Sequence, residues 1–246
     1  MDYKPFQIFK NKPRAPWVII CDHASNLVPE SIAEGNLGLN KIEMQRHIAF
    51  DVGAKSLAIE LGNILNAPVV CSNFSRLVID PNRGEKDPTL VMQLYDGTII
   101  PANKNIAKQE ILRRLNIFYR PYHNAIDQVL APIEKPIIVS IHSFTPQLKG
   151  KKKRPWDIGL LAANDRRFHN ALLGCFASDP RLCIGDNQPY IGKLPGDTID
   201  KHAIEKGRLN TLVEVRNDLI ANNEDQKTWA KIIGKNLNQA KDLLDG

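Results

Sequence analysis

The chain has 246 residues, 43% of them hydrophobic and 24% charged, with a formal net charge of +6. That length can bury a sizeable core, and nothing in the composition departs far from an ordinary globular protein, which excludes the disordered and low-complexity classes. No apolar run approaches the roughly 20 residues needed to cross a bilayer, which argues against a membrane-spanning helix and for a soluble protein without a membrane partner.

The opening residues, "MDYKPFQIFKNKPRAPW", lack the basic segment, apolar segment and small-residue cleavage site of a secretory signal, so the expected location is the cytoplasm. The first buried strand is expected at "WVIIC" (17–21), followed by a helical pattern from Lys41 to Leu65 and a strand at "PVVCS" (68–72). A second helical pattern runs from Asn105 to Leu130, ahead of strands at "PIIVSIHS" (136–143) and "IGLLAA" (158–163). A helix over Asp165–Phe176, a strand at "TLVEV" (211–215) and a helix over Asp225–Leu244 complete the pattern. In the last helix Trp229, Ile232, Ile233, Leu237, Ala240 and Leu244 recur at three- and four-residue steps, which makes one apolar stripe. Strands alternating with helices predict a three-layer α/β/α fold with a central mixed sheet, in one domain over 1–246. In such sheets ligands bind outside the carboxyl ends of the strands.

Four cysteines, Cys21, Cys71, Cys175 and Cys183, form no CxxC pair, and two of them end apolar runs as buried small hydrophobes do. Free thiols are expected, not a cysteine zinc site. The run "KGKKKR" (149–154) gathers five basic residues around one glycine and reads as a solvated loop between strands in preference to a nucleic-acid patch, because no aromatic-basic motif accompanies it. The oligomeric state is left open, a homo-oligomer included.

Polar residues crowd the predicted strand ends. Asp22 and His23 follow "WVII", His142 and Ser143 follow "PIIVSI", and Glu214 and Arg216 close "TLVEVR". Burying such groups is costly unless they bind a metal, a substrate or each other. Neutral imidazoles suit zinc, and an open zinc site needs about three protein ligands. A hydrogen-bonded structural imidazole, or an ion pair between Glu214 and Arg216 on one strand face, is the bland alternative.

The segments "CDHASNLVPE", "RHIAFDVGAKSLA", "SRLVIDPNR", "YRPYH", "VSIHSFTPQLKGKKKRPWDIGLL", "GDNQPY" and "VEVRNDLI" follow one another from about residue 15 to 231, and the ordered set resembles the N-formylglutamate amidohydrolase family. That family is similar in turn to the zinc carboxypeptidases and the aspartoacylase group. The resemblance implies one zinc ion, replaceable by another divalent transition metal, an anionic N-acyl amino acid as substrate, and a place in histidine catabolism. It makes His23 and His142 metal ligands and Glu214 the general base and acid. It gives Asn82 and Arg83 the carboxylate next to the scissile amide and Arg76 either the second carboxylate or the carbonyl oxygen. Ser143 joins them as a substrate-binding residue.

One position departs from the wider pattern. A carboxypeptidase-like enzyme has a glutamate three residues after its first histidine, and here Asn26 stands at that spacing. The third ligand is therefore sought elsewhere, and Asp51 is chosen by elimination, since His47 and Asp51 would share a helix face. Asp22 is expected to orient His23 from behind, and Asn187, Tyr190 and His202 to form a lid. The competing readings are a deacylase of another N-acyl amino acid, a non-catalytic binder of anionic ligands, and a Ser/His or Cys/His hydrolase built on Cys21, Asp22, His23 and Ser25. The last lacks a GxSxG elbow.

Overall fold

Five strands form where the apolar, β-branched runs predict them. In the computed structural model, which describes residues 3–10 and 15–246, these are β2 (Trp17–Cys21), β3 (Val69–Ser72), β6 (Ile137–Phe144), β7 (Ile158–Leu161) and β9 (Asn210–Arg216). Two short strands join them at the sheet edges, β1 (Phe6–Phe9) and β8 (Ile184–Asp186), in the order β1-β3-β2-β6-β9-β7-β8. The sheet is mixed. β3, β2, β6 and β9 run parallel, whereas β1 is antiparallel to β3 and β7 to β9. A small hairpin, β4 (Leu94–Tyr95) and β5 (Thr98–Ile99), stands apart from it.

Side chains of β2 alternate between the two faces. Trp17, Ile19 and Cys21 pack among residues of α2 (Ala54–Leu65), α5 (Arg167–Ala177) and α7 (Asn223–Asp245), while Val18 and Ile20 face α4 (Arg120–Leu130) and the chain between Phe74 and Ile100. All five residues of β2 are buried, as a strand covered on both faces requires. This is the expected three-layer α/β/α arrangement. Along α7 the predicted stripe is buried at Trp229, Ile233, Leu237 and Ala240, but Leu244 at its end is exposed. The Asn222 side chain caps the same helix by accepting from the Glu224 and Asp225 amides.

The expected helix over Lys41–Leu65 does not form as one piece. α1 covers only Lys41–Met44 and α2 begins at Ala54. Gly53, just before α2, has φ +81°, and a Cβ there would lie 2.4 Å from the Ile220 carbonyl oxygen, so the turn that starts α2 requires glycine on both counts. The pattern from Asn105 divides as well, into α3 (Lys108–Arg114), a π turn (Leu115–Tyr119) and α4. Pro121, which has no amide hydrogen to donate, sits in the first turn of α4 where the wider turn ends. Between β8 and β9 lies the short α6 (Thr198–His202). No helix among the described residues is long and apolar enough to cross a membrane. Residues 1–2 and 11–14, part of the stretch read for a secretory signal, lie outside the described residues.

Candidate active site

The carboxyl ends of β2, β6 and β9 lie side by side because the three strands are parallel neighbours. Asp22 and His23 leave β2, Ser140, His142 and Ser143 sit on the last half of β6, and Glu214 pairs in register with His142. Two loops complete the group. Asp51 comes from the turn before α2, and Arg76, Asp80, Asn82 and Arg83 come from the segment after β3.

His23, Asp51 and His142, all buried, each offer one ligand atom, and these atoms lie within 4.8 Å of one another. Asp51 Oδ2 is 3.3 Å from Nδ1 of His23 and 2.8 Å from Nδ1 of His142. The far nitrogen of each imidazole is held from behind. His23 Nε2 lies 2.7 Å from Asp80 Oδ1, and His142 Nε2 lies 3.3 Å from Asp22 Oδ2 and 3.0 Å from Ser140 Oγ. A carboxylate behind each histidine fixes ring orientation and raises ligand basicity. Asp22 therefore serves His142, not His23 as expected, because it points to the sheet face where Tyr122 Oη and Thr198 Oγ1 donate to it, at 2.9 and 2.7 Å. Asp80 is the residue the sequence reading missed for this role.

Burial pushes the Asp22 carboxyl up, but hydrogen bonds from His142 and Thr198 outweigh it and hold the group at about 2. Asp51 and Asp80 are likewise driven below the carboxylate range, by the two imidazoles and by Arg76 respectively, against the effect of burial. Three buried carboxylates thus crowd around the Arg76 guanidinium and the His142 imidazole, whose pKa Asp22 and Asp51 raise well above the ordinary histidine range. Two imidazole nitrogens and a carboxylate converging within 4.8 Å are a donor set that fits a divalent cation, which would take the place of the protons that otherwise offset the carboxylates. Glu214 behaves differently. Burial raises it to about 7, with Asp51 adding to the shift and His142 opposing it, and its buried Oε2 has no hydrogen-bond partner among the described residues. Arg216 is not its partner, since it pairs with Asp157 and Asp218.

His23, Asp51, Arg76, His142 and Glu214 line a cleft of about 280 Å³, the lower end of the range for small-molecule sites. His47, Asn82, Arg83, Tyr95, Tyr190 and Asp197 contribute to its walls. Arg76 directs Nε and Nη2 to Asp80 Oδ2, at 3.1 and 2.7 Å, and its Nη1 lies 3.6 Å from Asp51 Oδ1. Arg83 donates to the Asn82 carbonyl and to Thr89, with no carboxylate partner among the described residues, and the Asn82 side-chain oxygen accepts from the Thr198 amide. The Ser143 hydroxyl donates to the Val52 carbonyl at 2.7 Å, so it braces the turn that carries Asp51.

Several expectations need correction. His47 does not share a helix with Asp51; it faces Asp96 at 3.5 Å from a broken segment. Asn26, by contrast, is no ligand, in keeping with the search for a third one elsewhere: it donates to the Met44 carbonyl and does not line the cleft. Of the expected lid, only Tyr190 reaches the cleft. Asn187 accepts from the Ala162 and Gly192 amides, and His202 is buried between His123 and Asp127. The stretch that does form the wall, Tyr190–Asp197, approaches closely because Gly159, opposite Glu214 in β7, has no side chain. A Cβ there would lie 2.0 Å from the Gln188 carbonyl oxygen. Asp197, which caps α6 through the Asp200 amide, is raised to about 7, first by burial and then by Asp22.

The chain is similar to the crystal structure of gene product Atu2144 from Agrobacterium tumefaciens, with 31% identity, a TM-score of 0.93, and coverage of 99% of this chain and 97% of that one. It also shares its fold with the N-formylglutamate amidohydrolase of Ralstonia eutropha JMP134, at 20% identity and a TM-score of 0.75 over 96% of this chain and 97% of the other. No curated protein sequence matches it significantly. The family model for N-formylglutamate amidohydrolase matches residues 15–221, a span that contains both histidines, all four acids around them and both cleft arginines, so the chain belongs to the N-formylglutamate amidohydrolase family.

Proposed function

We propose that the protein, acting as one 1–246 unit in the cytoplasm, is a metal-dependent hydrolase that cleaves N-formyl-L-glutamate to formate and L-glutamate. The observation that carries this reading is the convergence of His23, Asp51 and His142 beside Glu214, whose buried Oε2 has no hydrogen-bond partner among the described residues and whose pKa is raised. The three residues would hold zinc or another divalent transition metal, which supplies Lewis acidity toward the amide carbonyl and makes water nucleophilic near neutral pH.

The chain's own residues do the rest. Glu214, at about 7, is poised to take a proton from the attacking water and return it to the departing amine, since a catalytic acid–base group works best with a pKa near the operating pH. Arg83, without a carboxylate partner among the described residues, takes the carboxylate next to the scissile amide, and Asn82 supports it. Arg76, its fork held by Asp80, keeps Nη1 beside Asp51 and is assigned to the carbonyl oxygen. Ser143 acts through the Asp51 turn. A cleft of about 280 Å³ suits an acylated amino acid better than a longer peptide.

The test is a release assay across the N-formyl, N-acetyl and N-carbamoyl forms of glutamate, aspartate and glutamine with zinc added, together with metal analysis of the purified protein. Turnover of N-formylglutamate that a chelator abolishes and zinc restores is the expected result. A protein that binds these compounds without cleaving any would be a binding module.

A further inference from the structure

A dicarboxylic substrate needs a cation for each carboxylate, and the guanidinium groups near the cleft are not equally available. Arg76 is engaged by Asp80, Arg46 by Glu43 and Asp96, and Arg216 by Asp157 and Asp218. Arg83 and Arg154 have no carboxylate within ion-pair distance among the described residues. Arg154 ends the basic run 149–154, which the proposed chemistry leaves without a role.

Arg154 is half-buried, and its surroundings are built from the cleft wall. Its guanidinium carbon lies 5.0 Å from the ring centre of Tyr190 and 5.6 Å from that of Phe144, and Nη1 donates to the Thr145 carbonyl at 3.0 Å and the Tyr190 hydroxyl at 3.2 Å. Phe144, Thr145 and Tyr190 all line the cleft. Aromatic faces hold a guanidinium in place without cancelling its charge, and Nε and Nη2 make no hydrogen bond among the described residues. Arg154 thus stands directly behind three residues of the cleft wall, and Tyr190, whose hydroxyl it holds, lines the same cleft as Glu214.

We infer that Arg154 is a specificity-determining residue that receives the side-chain carboxylate of the substrate and so selects acidic over neutral N-acyl amino acids. This rests on the hydrolase reading above. Lys193 also lines the cleft, but it is exposed and presents a single point charge where a planar fork would match two oxygens.

The experiment compares kcat/KM on N-formyl-L-glutamate and N-formyl-L-glutamine for wild type, Arg154→Gln, Arg154→Lys and Lys193→Gln, with thermal melts of each. Arg154→Gln is expected to lose about 10-fold on the glutamate compound, mainly in KM, and much less on the glutamine compound. Arg154→Lys should fall between. If Arg154→Gln melts too low to assay, Arg154→Met, which keeps an apolar stem against the rings, takes its place under the same criterion. Equal losses on both compounds would make Arg154 a prop for Tyr190 and overturn the inference, as would a loss of preference in Lys193→Gln alone or a wild type indifferent to the two compounds. A wild type that hydrolyses no N-acyl amino acid would overturn the underlying reading instead.

Discussion

Asp80 joins His23 to Arg76. One of its oxygens lies 2.7 Å from His23 Nε2 and the other 2.7 Å from Arg76 Nη2, with the whole group buried. A single carboxylate thus orients a proposed metal ligand and holds the fork of the arginine next to it. Asp80→Asn keeps the shape but weakens both interactions, so zinc affinity should fall roughly 10- to 100-fold. Competition with a chromophoric chelator measures this, and unchanged affinity would confine Asp80 to holding Arg76.

The ligands themselves carry a stronger expectation. Replacing His23 or His142 with Ala should remove the metal and the activity while the circular dichroism spectrum is retained, and Asp51→Asn should lower metal content as well. Stoichiometric zinc in the His23→Ala/His142→Ala protein would place the metal elsewhere.

Glu214→Gln retains the side-chain shape but cannot accept a proton, so turnover should drop by about 100-fold or more with zinc still bound. The wild-type rate should also depend on pH in a stated direction. With the group raised to about 7, kcat/KM climbs as pH increases through that value and Glu214 ionises. An acid limb that persists unchanged in the residual activity of Glu214→Gln would belong to another group.

Arg83→Lys tests carboxylate recognition. Lysine cannot reproduce a two-bonded fork, so kcat/KM on N-formylglutamate should fall about 10- to 100-fold, and on an analogue amidated next to the scissile bond by much less. Equal losses on the two would mean that Arg83 serves the scaffold through Asn82 and Thr89.

Asp197 predicts a pH effect on stability. Its carboxyl is raised from 3.8 to about 7, so between those values the folded protein keeps a proton that the unfolded chain releases, and this residue's contribution to stability falls as pH rises through the window. Above it, ionised Asp197 costs roughly 4 kcal/mol. Asn is isosteric with the neutral acid and still caps α6, so Asp197→Asn should melt like wild type near pH 4 and higher than wild type at pH 8.5, both in chelator. Identical melting temperatures at pH 8.5 would show that the wall around Asp197 admits water.

Much of the fold is legible in the sequence because the central strands are buried on both faces and so read as continuous apolar runs. The edge strands β1 and β8 are not legible for the converse reason, being short and only partly buried. His23, His142 and Glu214 stand out as polar residues at the ends of such runs, and the structure brings them together. Asp51 does lie beside the two histidines, but not on the expected helix face, since α1 ends at Met44 and α2 begins only at Ala54, after a Gly53 turn packed against the distant Ile220 carbonyl. Asp80 and Asp197 go unseen because their roles depend on contacts 57 residues away with His23 and on burial by neighbouring segments, neither of which leaves a local pattern. The "DPN" stretch was the available signal for Asp80, a buried acid between an apolar run and a proline turn.

The missing side chain at Gly159 has a consequence for how substrate range could change. Because the Gln188 carbonyl occupies the space where a methyl would be, Gly159→Ala would lift the strip that carries Tyr190 and Gln188 away from the sheet while leaving every proposed metal ligand where it is. The proposed chemistry and the capacity of the cleft thus sit on separate strands: His23 follows β2 and His142 lies on β6, whereas the wall strip packs on β7 at Gly159, opposite Glu214. A protein built this way could acquire bulkier substrates by one small substitution on β7 without rebuilding its reactive centre.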